Sequence, residues 1–348
     1  YGLVAAAHRA DPPLERRGLV EASLDPADRR ARRLRLTSAG RRTLARALPI
    51  WRRVHGEIEA GRGFWPGLCV TLKHCCRFAS YVLLAKGDYP YEMDIPLPFC
   101  LVSNDVANDR LLVMPAYWWM YNMYALRRNA WKFASRDKRK TRTQHIEPEA
   151  FAPDTAEEMI RALELLELWV GKALLRSRGQ LADSTPEQAI RAAGRELLTG
   201  SDPTLGGITV LGEDMEASRR PVIIHRPYQA YRAYREMLMH YAASNLIRYM
   251  EANPDASVSS MAQRLAGERE KAWVNLGGQL VLERDVDALR ADIRSEKLTP
   301  GPRSMSATTG CGRFTRSRSR STPSPRCFTC WMRIPLPRKR GARCWIRR

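Results

Sequence analysis

Gly67-Leu68-Cys69-Val70-Thr71-Leu72-Lys73-His74 and then Tyr81-Val82-Leu83-Leu84-Ala85-Lys86-Gly87-Asp88-Tyr89-Pro90 are the stretches whose reading decides the fold. Both are short apolar runs punctuated by Gly, Asp or Pro, the pattern of strands about three to five residues long joined by tight turns. They lead into Ile95-Pro96-Leu97-Pro98-Phe99-Cys100-Leu101-Val102-Ser103-Asn104-Asp105. Proline at alternate positions excludes a helix there and argues for an edge or stacked strand.

Beyond Asp105 the periodicity becomes helical. Tyr117 to Trp131 reads as one helix, with Trp118, Trp119, Met120, Tyr121, Met123 and Tyr124 crowded at its start and cations further along. The next is signalled by Asp154 or Thr155 as its cap and Glu157 or Glu158 completing a capping box. Met159, Leu163, Leu166, Val170 and Leu174 make its apolar stripe. Further helices are expected over 186–198, 227–251 and 257–269, the third with Tyr231, Tyr234, Leu238 and Tyr241 inward and Asn253-Pro254 at its end. Short strands at 208–211, 222–225 and 274–282 are expected to form one small sheet. The fold class is α+β with a helical majority.

Charge divides the chain differently. Of 58 Lys and Arg, 13 lie in residues 301–348, which hold no Asp or Glu, and 13 in residues 1–60 against 7 acids. The formal charge of +21 therefore sits at the ends, and the body is nearly neutral. A basic chain ordinarily points to nucleic acid or anionic membrane, and here only the ends carry that reading. No apolar run approaches a membrane span, and Tyr1-Gly2-Leu3-Val4 lacks a signal-peptide pattern, so a cytoplasmic protein is expected. The missing initiator Met hints at a fragment. Cys69, Cys75, Cys76 and Cys100 show no metal spacing and read as free thiols. Cys327 and Cys330 form C-x-x-C, but no His lies near them, so no metal is expected. No Walker loop, dinucleotide fingerprint, nucleophile elbow or H-E-x-x-H occurs, and no cofactor is implied.

The stretch from Lys86 to Pro90, Ile95-Pro96-Leu97-Pro98-Phe99, Leu101 to Asp105, Met114-Pro115-Ala116-Tyr117-Trp118 and Asn122-Met123-Tyr124-Ala125-Leu126 resembles the later part of large, functionally uncharacterised bacterial hexapeptide-repeat proteins. The resemblance runs from about Gly61 to about Leu298. It implies the end of a left-handed parallel β-helix of the trimeric sugar-acyltransferase type over 61–113, then a mainly helical domain over 114–298. It also implies a homotrimer through the β-helix and an acyl or nucleotidyl transfer to a sugar or nucleotide-linked substrate. Only the final coil or two is present, so this chain is expected to be inactive and its unfinished stack to expose an edge.

In sugar acyltransferases built on that fold a histidine on the β-helix commonly acts as general base, and if the family keeps that logic His74 is the catalytic candidate, with Lys73 beside it; a structural His is the alternative. Asn104 and Asp105 can bind a substrate hydroxyl or form an Asx turn. Trp118, with Asn122, can face a sugar or base or simply be core. Arg127, Lys132, Arg136 and His145 can hold a phosphate or belong to a solvated charged run.

Leu14-Glu15-Arg16-Arg17-Gly18-Leu19-Val20-Glu21, then Asp25 to Arg41, resembles the end of the recognition helix, the wing and the following helix of MarR-type transcriptional regulators. The resemblance assigns Arg29, Arg30, Arg32 and Arg33 to a DNA backbone or minor groove, with Thr37 or Ser38 capping the next helix. The preceding helices are missing and Pro12-Pro13 interrupts the recognition helix, so residues 1–60 are a partial winged helix and DNA binding is not expected of the truncated form. The tail over 299–348, with Arg316-Ser317-Arg318-Ser319-Arg320-Ser321, reads as disordered: an RNA-binding arginine-serine run, or a frame slip in GC-rich coding DNA. A regulator and a non-catalytic trimeric scaffold stand as alternatives to the transferase.

Overall fold

The computed structural model of the protein describes residues 12–24, 32–55, 58–140, 146–255, 257, 259–260 and 270–295. The chain is mixed α+β with several small sheets and divides into two compact units, Tyr1–Ile58 and Glu59–Arg348.

In the first unit, α1 (Pro12–Arg16) is a single short helix whose prolines occupy the first turn, where their missing N–H groups cost nothing. Strands β1 (Val20–Leu24) and β2 (Arg32–Leu36) pair antiparallel, Val20 opposite Leu36. Helix α2 (Ser38–His55) follows. Thr37 rather than Ser38 caps it: its Oγ1 accepts the Gly40 amide at 3.0 Å and donates to the Gly18 carbonyl at 2.6 Å.

The second unit begins with three successive passes of short strands. The first holds β3 (Glu59–Ala60), β4 (Trp65–Pro66) and β5 (Val70–Leu72). The second holds β6 (Arg77–Phe78), β7 (Leu83–Leu84) and β8 (Gly87–Tyr89). The third holds β9 (Asp94–Ile95) and β10 (Leu101–Asp105). Each first-pass strand pairs in parallel with its counterpart in the second, and β6 and β7 pair on with β9 and β10. Glu59 sits beside Arg77 and Arg77 beside Asp94; Trp65 sits beside Leu83 and Leu83 beside Leu101; Val70 sits beside Gly87. Amides hand the pairing along: Trp65 N donates to Val82 O, and Leu83 N to Cys100 O, both at 2.9 Å.

Gly63, Tyr81 and Phe99 stand at the same bend of successive passes, each with left-handed backbone (φ +68°, +58° and +56°). The Tyr81 and Phe99 rings stack at 4.8 Å and 7°. A Cβ on Gly63 would come within 2.4 Å of the Tyr81 ring, so the outermost bend needs glycine for room as well as for its backbone.

Beyond β10 the chain reverses into β11 (Arg110–Met114), antiparallel to it. The single helix expected from Tyr117 is two, α3 (Tyr117–Tyr121) and α4 (Met123–Arg136), broken at Asn122 with φ −139°. Then come α5 (Pro153–Ser177) and α6 (Glu187–Thr199). β12 (Val222–Ile224), α7 (Pro227–Ala252), the hairpin β13 (Trp273–Leu276) and β14 (Gln279–Leu282), and α8 (Glu283–Arg294) complete the unit. The expected single sheet of late strands does not form. β12 lies parallel to β11 as the last member of the β4–β7–β10–β11 sheet, β13–β14 stands apart, and 208–211 contributes only a bridge from Leu211 to Ile223. Most of the helix expected over 257–269 lies outside the described residues.

Met159, Leu163, Leu166, Val170 and Leu174 of α5 are all buried, as their spacing predicts. Leu84, Ile95, Leu97, Val102 and Leu111 meet the first four of these in one core, each worth about 1.5–3 kcal/mol of burial. Tyr234 of α7 ties the layers together. Its hydroxyl donates to Pro98 O at 2.6 Å and accepts the Ala116 amide at 3.2 Å. Helices α5 and α6 approach until a Cβ on Gly194 would lie 1.9 Å from Glu167 O. Beneath them the buried Glu167 carboxylate accepts two 2.8 Å bonds from Arg195 and one from the Tyr231 hydroxyl.

Candidate functional site

The N-terminal turns of α5 run across the passes, and their acidic residues reach successive rungs. Asp154 takes Arg62 of the first pass in a two-pronged pair, Nε–Oδ2 2.7 Å and Nη2–Oδ1 2.8 Å. Four residues on, Glu158 accepts the Ser80 amide at 3.1 Å and its hydroxyl at 3.1 Å from the second pass. An i, i+4 step rises about 6 Å, close to the roughly 4.8 Å between paired strands, so one helix face serves two rungs. The expected capping role of Asp154 and Glu158 is thereby corrected: α5 starts at Pro153, and Thr155 Oγ1 accepts the Ala152 amide at 3.0 Å.

Arg62 is buried and gives four of its five donors to Asp154 and the Glu147 and Glu149 carbonyls. Burial works against its charge, but the Asp154 bonds outweigh that and its pKa is raised. Burial pushes the Tyr81 phenol, beneath Arg62 at 5.9 Å, up to about 12, although the guanidinium draws it down. Desolvation raises Glu158 to about 7, with Asp154 adding to the rise and the Ser80 bonds opposing it.

Beside this anchor opens a cleft of about 480 Å³. Its floor is the first pass, Gly61 to Trp65, with Tyr81. Asn129 and Phe133 of α4, residues 146–148, and Asn275 and Gly278 of the β13–β14 hairpin form its sides. Trp65, 46% exposed, tilts against Trp118 with ring centroids 5.9 Å apart, and Phe64 stacks on Phe78 at 4.5 Å. Trp118 also lines the cleft; it is 2% exposed and its Nε1 has no hydrogen-bond partner among the described residues. The surface suits a flat ring with a polar edge: aromatic faces to stack on, and indole and amide groups at the margin.

Among the described residues picked from sequence, Trp118 alone lines this cleft. Asn122 sits at the break, its amide donating to Trp118 O at 3.0 Å. Arg127, Lys132 and Arg136 ride on α4 but do not line the cleft. Lys73 and His74 are exposed in the turn between β5 and β6, a different bend from the cleft. Asn104 and Asp105 hold neighbouring segments together. Asn104 donates to Asp88 O at 2.6 Å and accepts Arg220 at 2.7 Å. Asp105 accepts Arg110 at 2.7 Å and Asn108, and these bonds depress its pKa, Arg110 first. Arg220 is itself held by the buried Glu216. His145, Arg29 and Arg30 lie outside the described residues; Arg32 and Arg33 are in β2, with side chains outside the description. Among the described residues no His, Cys, Asp and Glu cluster could hold a metal, and no helix is long and apolar enough to cross a membrane.

Sequence reasoning missed Arg62, Asp154, Glu158 and Trp65. The i, i+4 acids and the arginine between Gly61 and Gly63 were the available signals.

Over 252 residues, 71% of this chain, the sequence is 43% identical to an uncharacterized protein of Treponema pallidum (strain Nichols). The match takes in 32% of that protein, so the chain spans about a third of the length of the relative it matches. No family model matches the chain, and no solved structure matches it.

Proposed function

We propose that the second unit is the terminal portion of a hexapeptide-repeat protein, a left-handed parallel β-helix under a helical cover, whose aromatic cleft binds a sugar or nucleotide-linked substrate for an acyl or nucleotidyl transfer. One observation carries the reading: the outermost pass floors the cleft while all three of its strands sit at the end of their ladders. Further passes stacked on that edge would complete both the stack and the cleft wall, and the greater length of the Treponema relative leaves room for them. The chain alone then binds without turnover. His74 stands on another bend, so a general-base role requires a neighbouring copy, as in a trimer, to bring it to the ligand. Isothermal titration with a nucleotide-linked sugar is the test. Saturable one-site binding supports the reading, and heat no larger than that of dilution sinks it.

A second reading, a DNA-binding role of MarR type, rests on the first unit alone: the β1–β2 hairpin is followed by the Thr37-capped α2 in the order of a wing and its next helix. Retention of duplex DNA only below about 50 mM salt would reduce that role to unspecific charge attraction.

A further inference from the structure

Helix α4 has two unlike sides. Asn129 and Phe133 line the cleft, while Tyr124 and Trp131 stand 77% and 67% exposed on the other side. At 3.6 residues per turn, Tyr124, Arg128 and Trp131 share one stripe, with Arg127 and Lys132 flanking it; Arg136 falls nearer the side of Asn129. Arg127, Arg128 and Arg136 are exposed, and no Asp or Glu occurs between Asp109 and Asp137. None of the four cations forms an ion pair among the described residues. Instead they repel one another: Arg128 foremost, then desolvation and Arg136, lowers the pKa of Lys132. Neither exposed ring stacks on a described neighbour. The face is thus a run of unneutralised positive charge interleaved with two free aromatic surfaces.

We infer that this face of α4 binds single-stranded nucleic acid, Arg127, Arg128 and Lys132 neutralising phosphates while Tyr124 and Trp131 stack on bases. The helix is about 20 Å long, enough for a few nucleotides. A duplex is disfavoured because its bases offer no free face to the rings. An acyl layer is disfavoured because the large apolar side chains exposed on α4 are Met123, Tyr124 and Trp131, with no Leu, Ile, Val or Phe to penetrate it. The inference is independent of the cleft on the opposite side.

The test is fluorescence anisotropy of a labelled oligothymidylate of about fifteen nucleotides, in the range of known strand-binding site sizes, titrated with the full chain at about 0.15 M salt. The basic ends add charge attraction, so the variants that decide are the uncharged ones. Trp131→Ala and Tyr124→Ala should each weaken binding by about 5- to 100-fold, with Trp131→Phe retaining most of it. Arg128→Ala and Lys132→Ala should each lower the salt dependence by about one phosphate. Unchanged affinity in both ring variants, or no binding by the native chain, overturns the inference. So does binding to phosphatidylserine vesicles through Trp131 in place of the oligonucleotide.

Discussion

The first and second passes of the second unit are built to one register yet differ in what covers them. Pro66, Leu84 and Val102 are successive partners on one ladder; Pro66 is exposed, whereas Leu84 and Val102 are wholly buried. Ala60, Phe78 and Ile95 repeat the pattern on a second ladder, exposed in the first pass and buried in the next two. Position in the stack, more than residue type, decides burial. The outer pass is therefore held by something other than stacking: Arg62 grips Asp154, while the equivalent Ser80 makes lighter bonds to Glu158. That pass can give up its surface to a ligand or to a further pass without loss of the core.

Breaking the charged anchor should have the largest effect. Asp154→Ala leaves a buried guanidinium without its carboxylate and is expected to cost about 3–5 kcal/mol in chemical denaturation. Next, Leu84→Ala should cost about 2–5 kcal/mol, and Pro66→Ala, at the same register in the outer pass, below about 1 kcal/mol; equal losses would contradict the comparison.

The third difference is in pH. The folded Glu158 holds its proton to about 7, above the ordinary value of 4.5, so the native state binds more protons between those limits. Its contribution is fully present below about pH 4.5 and is lost as pH rises through about 7, roughly 3 kcal/mol in all. Glu158→Gln should flatten that slope in thermal melts between pH 5 and 8, and an unaltered slope assigns it elsewhere. Smallest is Trp65→Ala: with the ring half in solvent, stability should change by about 1 kcal/mol or less, while cleft affinity for a nucleotide-linked sugar falls about tenfold.

Much of the second unit's local structure was legible. Alternating prolines at Pro96 and Pro98 excluded a helix, and the apolar stripe of α5 and the tyrosines of α7 fell where their spacing put them. The pairing of passes was not, because parallel partners stand seventeen or eighteen positions apart and no local periodicity records which strands meet. Nor was the break at Asn122, which no residue of low helical propensity such as Gly or Pro announces. The site was legible only at Trp118. Asn104 and Asp105 have short polar side chains that suit either a ligand or a turn, and their bonds to the distant Arg220 and the near Arg110 were not legible from spacing.

Hydrogen exchange with and without a nucleotide-linked sugar tests the central claim most directly, since it reads the two passes in one experiment. The account predicts slower exchange of the Gly61 and Trp65 amides, which bond to Phe78 O and Val82 O, with the second-pass amides of Ala79 and Leu83 unchanged. Protection that is absent, or that rises equally in both passes, would contradict a ligand seated on the outer pass.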